Sequence, residues 1–153
     1  MSLIEHKKAR LNYEILKEFE AGLELHGFEV KSLRAGQGKL DGAHIIVRPS
    51  GRRGGFEAFL IGASIPPYQV ANTPKDYEPE RPRRLLLTQK ELVELADAEK
   101  QKGLTIVPIV VYNKGRNLKL KLAIARGRKS FDKRAVLKER DTKRDIERTL
   151  KNQ

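Results

Sequence analysis

The sequence predicts a mainly β fold with helices: a small antiparallel barrel carrying two or three α-helices and followed by a basic C-terminal tail. Three observations carry this expectation. Residues 118–125 (LKLKLAIA) place Leu118, Leu120, Leu122 and Ile124 on one face and Lys119 and Lys121 on the other, the period of a half-buried strand. Residues 43–48 (AHIIVR) and 56–65 (FEAFLIGASI) are apolar runs separated by a Pro-Ser-Gly-Arg-Arg-Gly-Gly turn, which reads as a hairpin. Strands and helices do not alternate strictly, as a parallel α/β sheet would require.

The elements follow in chain order. After the basic arm HKKAR, residues 13–25 fit two periods: Leu11, Ile15 and Phe19 share a helical face, while Tyr13, Ile15 and Phe19 share a strand face. Residues 28–35 (FEVKSLRA) read as a short helix, with Gly36 supplying its left-handed C-terminal residue. The hairpin comes next, and then residues 66–84 hold five of the seven prolines, an irregular surface loop that ends in RPRR. Thr88 opens a helix, because TQKE sets a capping hydroxyl three residues before Glu91. Leu92, Leu95 and Ala96 form its buried stripe, and Gly103 ends it. Residues 104–113 (LTIVPIVVYN) are a strand whose Pro108 belongs at an edge or a bulge, since it has no N–H for the ladder. In the tail only Ala135, Ile146 and Leu150 line up, so a helix there is marginal in isolation and firmer when docked.

Composition narrows the partner. The 153 residues suit one domain, and 39% hydrophobic content supports a real core. Thirty-two basic against 20 acidic residues give +12, which points to a polyanion, nucleic acid first. Ten basic and five acidic residues lie from Arg128 onward, so about a sixth of the length holds nearly half of the excess. No run spans a bilayer and the first residues lack a secretory pattern, so a cytoplasmic protein with no membrane partner is expected. No cysteine and three scattered histidines, His6, His26 and His44, argue against a metal site, and no cofactor is expected.

Catalytic signatures are missing. GxxxxGK[ST], HExxH and GxSxG do not occur, and GQG and RRGG read as turns. Asp41, Asp76 and Asp97 are the carboxylates a metal-dependent nuclease would need, but no spacing gathers them. Basic residues are more informative. Lys119 and Lys121 on a β face, with HKKAR and RPRR, can neutralise several phosphates. Nine Tyr and Phe and no Trp favour a shape-reading mode on folded RNA over a stacking channel. A generic RNA binder and a nuclease are the competing readings.

The segments NYEILKEFEAGLELHGFEVKSLRAG, RPRRLLLTQKEL, GLTIVPIVVYNKGRNLKLKLAIARGRKSFDKR and LKERDTKRDIER, in this order, resemble the bacterial SsrA-binding proteins, the small protein B (SmpB) family of trans-translation. The resemblance implies an oligonucleotide-binding (OB) type barrel over residues 1–125, with a strand rather than a helix at 13–25. It implies a tail over residues 126–153 that is helical on the ribosome. The implied partners are the tRNA-like domain of transfer-messenger RNA (tmRNA), the small-subunit decoding region and mRNA channel, and elongation factor Tu indirectly through aminoacylated tmRNA. A monomer on the RNA is implied as well.

Position by position, Glu20, Leu86 and Lys119 match places the family uses for RNA, and a cross-strand ion pair or plain core packing is the competing account of Glu20 and Leu86. Lys7, Lys8, Arg10, Lys31, Arg34, Arg83, Arg84 and Lys121 complete the expected RNA set. Gly127, Arg128, Lys129, Phe131, Asp132, Lys133, Arg134, Lys138 and Arg140 match the ribosome-directed tail. Thr142 stands where an aromatic is frequent, and the basic turn 49–55 is longer than usual, either an RNA contact or a tolerated insertion.

Overall fold

The computed structural model describes residues 2–51, 54–128 and 130–151, with side chains described except at 130–132 and 150–151. In chain order the elements are β1 (Ser2–Glu5), α1 (Ala9–Asn12), β2 (Tyr13–Leu23), α2 (Gly27–Arg34), β3 (His44–Pro49) and β4 (Phe56–Ile61). A 3-10 turn (Val70–Asn72), β5 (Arg83–Leu86), α3 (Gln89–Lys100), β6 (Leu104–Lys114), β7 (Asn117–Gly127) and α4 (Ser130–Lys151) follow. The strands form one antiparallel sheet in the order β1-β6-β7-β2-β5-β4-β3. Its end strands β1 and β3 are not paired with each other among the described residues, so this OB-type barrel stays open. β3 nonetheless comes up against β6, and α3 packs on β3, β4 and β6, so the sheet curls around a single core.

That core is the inner face of the sheet. Leu118, Leu120, Leu122 and Ile124 on β7 meet Phe19 and Ala21 on β2, Ile106 and Val111 on β6, and Leu60 and Leu85 beyond. Leu33 of α2 and Leu92 and Leu95 of α3 cover it. Each fully buried leucine contributes roughly 1.5–3 kcal/mol of transfer free energy. The ambiguity at 13–25 resolves to a strand because β2 pairs along almost its whole length with the strongly alternating β7, from Tyr13↔Gly127 to Gly22↔Lys119. Tertiary pairing overrides a local pattern that either period could claim.

Pro108 takes the bulge rather than an edge, since β6 lies between β1 and β7. Pairing slips between Pro108↔Leu122 and Val110↔Lys121, which leaves Ile109 as the extra residue. His6 fastens the slip: its backbone N–H donates to the Ile109 carbonyl at 2.8 Å and its Nδ1–H to the Pro108 carbonyl at 3.1 Å. Before the bulge Ile106 faces the core, and after it Val111 does.

Several boundaries differ from the sequence expectation. The loop after β4 ends earlier than expected, because Arg83 and Arg84 belong to β5 and pair with Leu60 and Phe59. β4 stops at Ile61, before Gly62 at φ +80°, and the chain beyond adds only a bridge between Lys39 and Ser64. α3 ends at Lys100, ahead of Gly103. β7 runs two residues past Ala125; among the described residues the body carries the helices α1, α2 and α3, and α4 belongs to the tail. α4 is continuous for 22 residues although its apolar stripe is thin. Lys and Arg, both good helix formers, fill eight of its 22 positions, and Glu139/Lys143 and Glu147/Lys151 set an acid four residues before a base, the helix-supporting order.

Candidate nucleic-acid interface

The outward face of the sheet divides into a covered end and an open end. At the covered end Val107, Ala123 and Ala125 point outward yet are buried, because α1 lies against β2 and β6 with Ala9 fully enclosed. At the open end the registers Tyr112↔Lys119, Lys119↔Gly22 and Gly22↔Leu86 set four residues from four strands in one row. Leu86 is 55% exposed, unusual for a leucine in a strand. Gly22 helps it lie there: a Cβ on Gly22 would sit 3.1 Å from the Leu86 Cβ, so any larger residue would push the leucine aside by a few tenths of an ångström.

Glu20 and Lys121 form the neighbouring rung. The Glu20 carboxylate accepts hydrogen bonds from the Tyr112 hydroxyl and from Lys114 Nζ, the latter at 2.9 Å. Those two bonds, with Lys119 nearby, hold its carboxyl below the usual range. Partial burial and the bond to the Glu20 anion push the Tyr112 hydroxyl up to about 12. At neutral pH the patch therefore presents a fixed carboxylate, a fixed phenol and lysines around an exposed leucine. Lys121 and Arg10 share Glu18 at 3.7 and 3.0 Å, half-exposed pairs of little net energy that a phosphate can displace. Lys119 has no carboxylate partner among the described residues.

The expected residues distribute unevenly around this row. Arg84 and Leu86 face outward on β5. Arg34 donates to the Arg116 carbonyl at 2.8 Å, which brings the exposed end of α2, Lys31 included, beside the β6–β7 turn. Lys7, Lys8 and Arg10 are exposed at the covered end. Arg83 is a correction. It is fully buried, its Nε and Nη2 held by Glu29 at 3.0 and 2.7 Å, with further bonds to the Ala63 and Pro79 carbonyls and the Tyr77 hydroxyl. It faces inward because strand alternation gives the outward positions to Arg84 and Leu86, so its guanidinium is engaged by the protein's own acceptors.

In the tail, Gly127 ends β7 and the Arg128 N–H donates to the Asn12 carbonyl at 2.8 Å. Lys133 is half-buried, while Arg134, Lys138 and Arg140 are exposed on α4, which lies near α1. Lys129 and the side chains of Phe131 and Asp132 lie outside the described residues. Thr142 turns its hydroxyl back to the Lys138 carbonyl at 3.0 Å. Of the turn 49–55, Arg52 and Arg53 lie outside the described residues. Among the described residues no cluster of three metal-ligating side chains forms, and Asp41 and Asp76 stay apart in separate surface hollows.

Sequence reasoning missed Tyr112, Lys114 and Gly22. A two-residue turn at Gly115 sets Tyr112 across from Lys119, a register that the length of the NKGRN turn could have revealed.

A family profile described as SmpB protein matches residues 3–152. An SsrA-binding protein of Chloroflexus aggregans (strain MD-66 / DSM 9485) is 44% identical over 147 residues, 96% of this chain and 89% of its own length. One of Magnetococcus marinus (strain ATCC BAA-1437 / JCM 17883 / MC-1) is 43% identical over 149 residues, 97% of this chain and 95% of its own. A solved chain described as "tmRNA-SmpB: a journey to the center of the bacterial ribosome" superposes with a TM-score of 0.65 at 38% identity, over 85% of this chain and 87% of its own. The row on the open sheet face, the OB-type topology and these matches converge, and the chain belongs to the SmpB family of SsrA-binding proteins.

Proposed function

We propose that this protein is a non-catalytic RNA-binding adaptor for trans-translation. Its open sheet face grips the tRNA-like domain of tmRNA, and its tail enters the empty mRNA channel near the decoding centre of a stalled ribosome. The protein acts in the cytoplasm as a monomer on the RNA, without a cofactor, and meets elongation factor Tu only through aminoacylated tmRNA. The observation that carries the reading is the row Tyr112–Lys119–Gly22–Leu86 with Glu20 behind it. Lys119 offers phosphate a cation with no carboxylate partner among the described residues, Leu86 an apolar surface for a sugar or base, and Glu20 an anchored acceptor for hydroxyl or amino donors.

The tail follows the same logic. Gly127, Arg128, Lys129, Phe131, Asp132, Lys133, Arg134, Lys138 and Arg140 form the ribosome-directed segment, and α4 bears charge on nearly every side, as an RNA-walled channel requires. Lys7, Lys8, Arg10, Lys31, Arg34, Arg84 and Lys121 widen the RNA footprint around the row.

The test is a binding titration against a tRNA-like RNA with an elbow and against an unrelated hairpin, at matched salt. The elbow RNA should bind at least tenfold tighter. Lys119→Ala should weaken it severalfold and lower the slope of log K against log salt by about one. Equal affinity for both RNAs makes the protein a generic RNA binder and overturns the adaptor reading.

A further inference from the structure

Beyond Leu86 the outward face continues onto β4 and β3, where a cleft of about 330 Å³ opens between Glu24, Glu57, Phe59, Arg81, Pro82 and Arg84. Register builds it: Arg84 pairs with Phe59, Phe59 with Ile46, and Glu57 with Arg48. Two of its four charges are already answered. Arg48 Nε donates to Glu57 at 2.8 Å, and the Arg81 guanidinium is held by the buried Glu29. Arg84 and Glu24 remain, with no side-chain partner for either among the described residues. Arg48, which is not one of the cleft walls, lies over the Phe59 ring with its guanidinium carbon 4.5 Å from the centroid. The cleft thus joins an aromatic wall backed by a cation, a proline edge, one unpaired cation and one unpaired carboxylate.

We propose that this cleft takes a single unstacked guanine nucleotide of the bound RNA, its base on Phe59, its phosphate on Arg84 and its Watson–Crick edge on Glu24. The charge left over dictates the choice. A nucleotide brings the anion that Arg84 lacks. Among the four bases only guanine sets two adjacent donors, N1–H and N2–H, on one edge to match both oxygens of a carboxylate. A base splayed from a loop and stacked on an aromatic side chain is the usual way sequence is read in RNA. The assignment deepens the RNA-binding reading and rests on it only for the source of the nucleotide.

The chain has four tyrosines but no tryptophan, so Phe59→Trp installs a single tryptophan in the cleft wall, which can be excited selectively. The full-length variant is titrated with 5′-GMP, AMP, CMP and UMP at low salt. GMP should quench with an affinity at least threefold above the other three. Adding Glu24→Gln should erase that preference, and adding Arg84→Ala should weaken all four about tenfold. Indistinguishable quenching by the four nucleotides, or a GMP preference that survives Glu24→Gln, overturns the assignment. If Phe59→Trp fails to fold, amide NMR shifts of the unaltered protein with GMP decide instead: shifts centred on Phe59 and Arg84 support the cleft, and none there refute it. The two readings fail separately. Loss of elbow discrimination with GMP binding intact removes only the RNA adaptor, and elbow discrimination without GMP binding removes only the cleft.

Discussion

Glu29 and Arg83 stand 54 residues apart, yet each is wholly enclosed and each completes the other. Burial alone would raise the Glu29 carboxyl; hydrogen bonds from Arg81, from the His26 N–H and from Arg83 outweigh it and bring the group down to about 2. A depressed acid stabilises the fold above its unfolded value of 4.5, and the contribution is lost as pH falls toward 2. Glu29→Gln should therefore cost about 3–5 kcal/mol at pH 7, because a buried guanidinium loses its counter-charge. Denaturant titrations should show that deficit shrinking as pH drops from 4.5 toward 2. A deficit of the same size at pH 7 and pH 2.5 would contradict the assigned role. This pair was illegible in the sequence. RPRR reads as one basic cluster, and nothing local marks Arg83 as the member that turns inward toward a glutamate on a distant helix. Lys119 was legible, because its neighbours alternate so strictly that its face is fixed.

At the scale of elements, local chemistry was most readable where the chain carries its own signal. Thr88 accepts from the Glu91 N–H at 3.2 Å while Glu91 accepts from the Thr88 N–H at 3.1 Å, the reciprocal cap that TQKE announces. Thr88→Ala should cost about 1 kcal/mol and lower the melting temperature by roughly 2–4 °C, while Thr88→Ser should restore it; calorimetry distinguishes the two. β2 was readable only in part, since its own residues satisfy two periods and its strand identity comes from β7. β5 was missed for a related reason. Four residues after a proline-rich stretch carry too little pattern to announce a strand, and its place is set by the partners β2 and β4. The helical signal of α4 lies less in its thin apolar stripe than in its charge spacing, with Glu139/Lys143 and Glu147/Lys151 four residues apart.

Across the whole molecule the positive charge is split between a folded body and an extension. Ending the chain after Gly127 removes ten basic and five acidic residues and leaves the sheet, its core and the open row intact. That truncated protein should bind the elbow RNA within about threefold of the full chain and fail to support tagging on stalled ribosomes in a reconstituted translation reaction. Equal loss of both activities would show that body and tail do not work separately. The bulge at Pro108 has a bearing on how such a body can change over time. Because the extra residue at Ile109 reverses the phase of β6, even-numbered positions before it and odd-numbered positions after it belong to the interior. Tyr112 and Lys114 are thus spelled in a different frame from Ile106. Losing one residue there would rotate the second half of the strand by 180°, hiding the phenol and the lysine that hold Glu20 and baring Val111, so drift in length at this point undoes the patch as surely as replacing Tyr112 and Lys114 themselves.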